Sequence, residues 1–298
     1  GLSFSLGYLH RNDPDAQLGT ADFFTASPRP AVQFDTESDG WQASAGYGFD
    51  LGPLNASFGG AYAATEGDDS VDIDNLSPPP LLAVFSGDGS QAFAFNEDVQ
   101  ARQSVETEAF AFEATLAGNL CLDTVCDLVL SPAAALVWRH SDATIDHTLN
   151  SAFLGGVHEQ FVNWDLSEDS VTLMAGASVA TRLGDGWTLR AGFMGGPTSG
   201  QADLDIADCG DGSTATPGCD GALFATRSTF SGDLDGFAWH AEGGIGFALG
   251  GARAELFVSA GSEPAAAIHT PKAFGAQTRV GDEQRDMWAV GLSLALAE

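Results

Sequence analysis

The densest run of side chains with catalytic chemistry is Arg139-His140-Ser141-Asp142, which holds a base, a hydroxyl and a carboxylate together. Acyl transfer needs a hydroxyl activated by a histidine that a carboxylate orients. This run sits where side chains alternate, so His140 and Asp142 share one face and Ser141 takes the other. Nucleophile and base are thereby separated, and the expectation is that the chain is not an enzyme. Asp68, Asp69, Asp72 and Asp74 offer the hard oxygens that Ca²⁺ takes. They lack the glycine and closing glutamate of an EF-hand loop, and a solvated charge run is the competing reading. Asp208, Asp211 and Asp220 pose the same choice. No other cofactor is implied. The cysteines form no C-x-x-C pair, and no histidine flanks them at zinc spacing. They read as two loop-closing disulfides, Cys121 with Cys126 and Cys209 with Cys219, in an oxidising compartment.

Charge narrows the partners. The chain has 41 acidic residues against 11 basic ones, with Lys272 the only lysine. Phosphate backbones are bound by clustered Lys and Arg, so nucleic acid is excluded. Such acidity suits an exterior rich in salt or divalent ions, which screen self-repulsion; a compositional habit of the source is the alternative. A hydrophobic fraction of 44% and a mean hydropathy of +0.01 argue against disorder. No apolar run reaches the roughly 18 residues of a helical membrane span. The 298 residues fit one large β domain, residues 1–298. Gly1 already opens a strand-like pattern, which is the expected start of a chain whose signal has been removed.

Strands must position these groups, because alternation recurs and helical periodicity is nearly absent. The pattern predicts about ten strands: 1–10, 40–50, 55–64, 104–118, 127–139, 171–183, 187–195, 237–249, 252–261 and 287–297. The last is the clearest, with Trp288, Val290, Leu292, Leu294 and Leu296 opposite Ala289, Gly291, Ser293 and Ala295. Predicted connections alternate. Long ones cover 11–39, 66–102, 140–167, 197–235 and 262–285; short ones cover 51–54, 119–126, 184–186 and 250–251. Gly184-Asp185-Gly186 and Gly250-Gly251 have turn chemistry. Alternating tight turns and long loops are what an up-and-down membrane barrel shows. Trp41, Trp138, Trp187, Trp239 and Trp288 fall on the apolar parity near strand ends, as an interfacial girdle requires.

On these features the whole chain resembles the Gram-negative outer-membrane β-barrel superfamily. Gly291, Leu294 and Leu296 resemble the assembly signal of its final strand, although this chain ends in Leu-Ala-Glu without an aromatic residue. The expected fold is all-β, a transmembrane antiparallel up-and-down barrel with long extracellular loops and short periplasmic turns. Both termini are expected to be periplasmic, and outer-membrane lipid and lipopolysaccharide are the expected surroundings.

Within such a barrel the inward parity carries Glu113, Arg182, Arg190, His240, Glu242, Arg253 and Glu255. These read as a paired charge layer filling a narrow lumen, with a polar constriction for small solutes as the alternative. The long loops are acidic yet contain phenylalanines, among them Phe23, Phe24, Phe34, Phe93, Phe95, Phe161 and Phe230. Those either pack into a cap or offer an apolar contact surface. The function expected is a surface-exposed structural, adhesive or self-associating role, through a second copy or a surface protein. A porin-like channel for small solutes is the alternative. Ca²⁺ is expected to order carboxylate-crowded loops such as that from Glu66 to Arg102, or to link neighbouring copies or lipopolysaccharide.

Overall fold

The computed structural model describes residues 1–12, 16–22, 27–73, 82–85, 92–95, 99–153, 156–184, 186–211, 224–249, 251–270 and 277–296. Every described element is a strand. In chain order they are β1 (Leu2–Asn12), β2 (Ala16–Asp22), β3 (Pro28–Phe34), β4 (Glu37–Leu51), β5 (Leu54–Ile73), β6 (Leu82–Phe85), β7 (Ala92–Phe95), β8 (Val99–Gly118), β9 (Leu120–Cys121), β10 (Leu128–Phe153), β11 (Gly156–Gly184), β12 (Trp187–Asp211), β13 (Phe224–Leu249), β14 (Ala252–His269) and β15 (Arg279–Leu296).

The ten predicted strands correspond to β1, β4, β5, β8 and β10 to β15. Each pairs antiparallel with its successor in that order, and β15 pairs back onto β1, with Leu2 opposite Leu296. The ladders therefore run in a ring with an interior and an outward face. Short turns join the strands at one end. Gly52, Gly184 and Gly186 there have φ of +67°, +84° and +86°, a region that side chains with a Cβ rarely enter.

Outward residues on the short-turn half of the wall are apolar and uncovered. Leu6 is 61% exposed, Phe112 61% and Leu173 60%. Aromatic rings bound this band on both sides. Tyr8–Trp288, Trp41–Tyr62 and Phe112–Trp138 pair at centroid distances of 5.5, 5.2 and 5.7 Å on the far side. Trp187–Phe247, at 5.3 Å, lies beside the short turns.

Beyond the far belt the strands continue but their polarity inverts. In β10, Leu136 and Trp138 face outward, while four to eight residues beyond Trp138, Asp142, Thr144 and Asp146 occupy that same exposed face. The interior face there carries Ala143, Ile145 and Leu149, all buried. In β11, Val171 and Leu173 face outward, and farther on Trp164 and Leu166 face inward. β8, β12 and β13 do the same with Val105, Leu204 and Leu234.

This inversion corrects the expected loops. Within 140–167 two paired strands continue, β10 to Phe153 and β11 from Gly156, and much of what is described of 66–102 and 197–235 is strand as well. Alternation persists there with the opposite sense, so a search for outward apolar residues misses it. Five short strands, β2, β3, β6, β7 and β9, add to the ten of the ring, making fifteen among the described residues.

The inverted half encloses a core. Leu18 of β2 and Val32 and Phe34 of β3 pack inside the ring against Val105, Ile145, Trp164, Leu204 and Ile206. β14 joins them. Its ladder with β13 ends at Ser262, and from Pro264 to Ile268 it is buried on both faces. It then pairs with β2 in parallel, Ile268 opposite Ala16. Gly232 of β13 meets β15 directly in the gap this leaves, so closely that a Cβ would come within 2.6 Å of the Val280 carbonyl oxygen. Leu204→Ala empties part of a side chain that is 0% exposed. It is expected to lower unfolding stability by about 2–5 kcal/mol in denaturant titration.

Candidate functional site

The interior between the short turns and the apolar plug holds most of the chain's positive charge. Arg11, Arg139, Arg182, Arg190, Arg253 and Arg285, six of the 11 basic residues, lie on the interior parity. What remains outside is strongly acidic.

Two ionic layers stack along this interior. The lower one was legible in the sequence. Arg190 on β12 meets Glu242 on β13 at 2.8 Å and Glu255 on β14 at 3.0 Å. Arg253 donates to the Thr188 hydroxyl at 2.6 Å and lies 3.8 Å from Glu255. Glu113 accepts from the Thr115 hydroxyl next to it in the same strand and makes no ion pair among the described residues. His240 lies close enough to Glu242 and Glu113 to feel both charges. Arg182 is exposed at the lower end of β11. The seven residues are therefore not one layer: Arg190, Glu242, Glu255 and Arg253 converge, while Arg182, Glu113 and His240 flank them.

The upper layer was missed. Arg285 on β15 grips Glu168 on β11 through both terminal nitrogens, each 3.0 Å from Oε2. It also lies 3.6 Å from Glu263, which pairs with Arg139. The Ala266 amide donates to Glu168 Oε1 at 2.6 Å, so this carboxylate also pins the inserted half of β14. Arg11 donates to Thr107 at 3.1 Å in the same layer. Glu168, Glu263 and Arg285 fell in or beside segments taken for loops. The signal that could have found them was continued alternation beyond Trp138 and Val171. Both partners of the Arg285–Glu168 pair are almost fully buried, and charge buried without a partner is costly. Glu168→Ala is therefore expected to lower stability by about 3–5 kcal/mol. Replacing both partners, Glu168→Leu with Arg285→Met, should cost far less in the same denaturant titration.

Above these layers, His147 is wholly buried against Phe34 and Trp164, with ring centroids 5.3 and 4.3 Å away. Its Nε2 donates to Gln103 Oε1 at 2.8 Å, and Gln103 donates to Thr36 Oγ1 at 2.7 Å. This relay ties the segment after β3 to the ring wall. Burial drives the His147 pKa from 6.5 down to about 3, against a smaller opposing pull from the Val162 backbone. The unfolded chain takes up a proton near pH 6.5 and the folded one does not until about pH 3, so stability falls as pH drops through that window. Denaturant midpoints at pH 7 and pH 4.5 should differ less in His147→Gln than in the parent chain. An equal difference in both would remove His147 from the effect.

The remaining sequence candidates separate. His140 is on the outward face, 3.1 Å from Asp169 and 3.0 Å from Asp142. Burial alone would lower its pKa, but the two carboxylates outweigh that and raise it. Ser141 is buried on the interior face, as the alternation predicts. Asp68, Asp69 and Asp72 lie along β5, where the pleat sends Asp69 inward and the other two outward. Asp69 accepts instead from the Asp35 and Ser70 amides at 2.9 and 2.7 Å. The expected Ca²⁺ cluster thus does not converge, and no group of three ligating side chains occurs among the described residues. Asp74 lies outside them. Cys121 and Cys126 form the predicted disulfide, while the Cys209 side chain and Cys219 lie outside the described residues. Trp41, Trp138, Trp187 and Trp288 are exposed in the aromatic belts and Trp239 is half-buried among them; Trp164, the sixth, is 0% exposed at the centre of the plug.

No protein-family model matches the chain, and no curated protein matches it. The solved structures similar to it include outer-membrane β-barrels. The outer membrane protease OmpT of Escherichia coli is 11% identical, over 98% of this chain and 95% of that one, with a TM-score of 0.49. The monoaromatic hydrocarbon channel CymD is 10% identical over 100% of this chain and 89% of that one, at 0.37. A FadL homologue of Pseudomonas aeruginosa is 11% identical over 98% and 89%, at 0.29. The first of these is an enzyme. The expectation that this chain is not one is withdrawn, because the separation of His140 from Ser141 disposes of one constellation only.

Proposed function

We propose that residues 1–298 form a single outer-membrane barrel, plugged at its outer end, that acts at the cell surface through the acidic segments above the plug. The observation carrying the membrane reading is the uncovered apolar band between two aromatic belts, with charges on the inside. In β10 the band runs from Leu130 to Trp138, nine residues, against the roughly 9–11 of a tilted membrane strand. Hydrocarbon outside such a strand demands an apolar outer face, and water above the belt demands a polar one. The short turns then face the periplasm, where the Cys121–Cys126 disulfide and both termini lie, and the longer connections are extracellular.

The plug supports a surface role rather than free passage of solutes. Leu18, Phe34, Trp164, Leu204, Ile206 and Leu234 are each at most 2% exposed where a channel would need water. Phe34, one of the phenylalanines that suggested a cap, is part of that plug, and Phe230 packs against it. Structural, adhesive or self-associating contact would fall to the outward carboxylates and the connections above. In a planar bilayer the folded protein is expected to give no steady openings. Sustained single-channel steps would overturn the surface reading in favour of a channel for small solutes.

A further inference from the structure

The outward apolar band is not uniform. Across β4, β5 and β8 three small residues follow one another: Ala45 is opposite Gly60, and the next residue pair along β5 and β8 sets Phe58 opposite Ala114. They form the floor of a trough of about 580 Å³. Tyr47 and Phe58 stand along one side, and Phe112 and Trp138 along the other. Its ends reach Leu2 and Leu136. Because strands in such a barrel tilt by roughly 35–45°, the trough climbs obliquely from one aromatic belt towards the other.

We propose that this trough holds one acyl chain of an amine-bearing phospholipid. The proposal rests on the membrane reading above. The trough's volume is within the roughly 300–1,000 Å³ of sites that hold one small ligand. Its floor is narrow, set by a strand spacing of about 4.8 Å, and rings stand on both sides. A single hydrocarbon chain fits such a slot. The broad face of a second barrel would rest on the rings and leave the floor empty.

Charge selects the headgroup. Glu108, Asp142 and Asp169 face outward above Phe112 and Trp138. His140, stacked on Trp138 at 6.2 Å, is already held by two of those carboxylates. On the outward faces of β4, β5, β8 and β10 the described residues offer one arginine, Arg102, far up β8. An anionic headgroup beside Glu108, Asp142 and Asp169 would meet repulsion, whereas an ammonium would find carboxylates.

Gly60 is the position from which to test this. A Cβ there would sit 3.4 Å from the Phe112 ring, an ordinary contact, so a longer side chain can fill the floor without moving backbone. The full chain would be placed in vesicles of equimolar phosphatidylethanolamine and phosphatidylglycerol, extracted in mild detergent, and weighed by native mass spectrometry. One retained phosphatidylethanolamine is expected, several-fold over phosphatidylglycerol. Gly60→Leu and Ala114→Phe, checked as folded by resistance to protease, should each lose it. Equal retention of both lipids, unchanged retention in the two folded variants, or a retained second copy in place of lipid would overturn the proposal. Should either variant fail to fold, quenching of Trp138 by acyl-brominated phosphatidylethanolamine in the parent chain decides. It should exceed quenching by the brominated glycerol lipid, and that excess should vanish in Trp138→Phe, where the other belt tryptophans still report both lipids; equal quenching in the parent chain sinks the idea. A chain that never enters vesicles would take the membrane reading with it. Insertion without a retained lipid would remove the trough alone.

Discussion

Each strand of this ring has one side chain in and the next one out, and no strand can escape that period of two. Everything else depends on what lies on either side of the wall. Near the short turns, polar residues face in and Leu, Phe and Val face out. Above the far aromatic belt the same strands, with the same pleat, carry Asp and Glu out and Ile, Leu and Trp in. The backbone does not change at the belt; the solvent does. In the proposed membrane setting, hydrocarbon replaces water on the outside, and an outward carboxylate becomes as costly below the belt as an outward leucine is wasteful above it.

The inversion also explains how so acidic a chain holds together. Only 11 basic residues oppose 41 acidic ones, and six of the 11 lie on the interior side. There Arg139, Arg190, Arg253 and Arg285 pair with Glu168, Glu242, Glu255 and Glu263 at short range and low dielectric. The outward carboxylates are left to water, which screens them. A lysine-poor, arginine-rich interior fits this arrangement, because a guanidinium can serve two carboxylates at once, as Arg190 and Arg285 both do.

The ionic layers and the apolar plug are mechanically joined. Glu168 holds Arg285 across the ring and accepts from the Ala266 amide on the inserted half of β14. That half of β14 carries β2, and β2 carries β3 with Phe34. His147 and Gln103 then fix the segment beyond β3 from the opposite wall. Loosening the plug therefore means breaking either a buried ion pair or a buried hydrogen-bond relay, so its closure is stiffer than hydrophobic packing alone would make it.

The sequence by itself determined what a period of two and local turn chemistry can encode. The apolar face of Met287–Leu296, the turn glycines 184 and 186, the five belt tryptophans and the Cys121–Cys126 pair were all legible. Each is settled within a few residues of itself, or by a face that repeats along one strand. The Arg190–Glu242–Glu255 cluster was half-legible, because parity puts all three inside but does not choose partners. Sequence reading stopped where apolar and polar faces exchange, and took strands for loops. What only the tertiary structure decided is the filling of the ring. Arg285 meets Glu168 across 117 residues, and β2 meets β14 across some 250. Side-chain period fixes a face; only closure of the ring decides which distant residues share the space inside it.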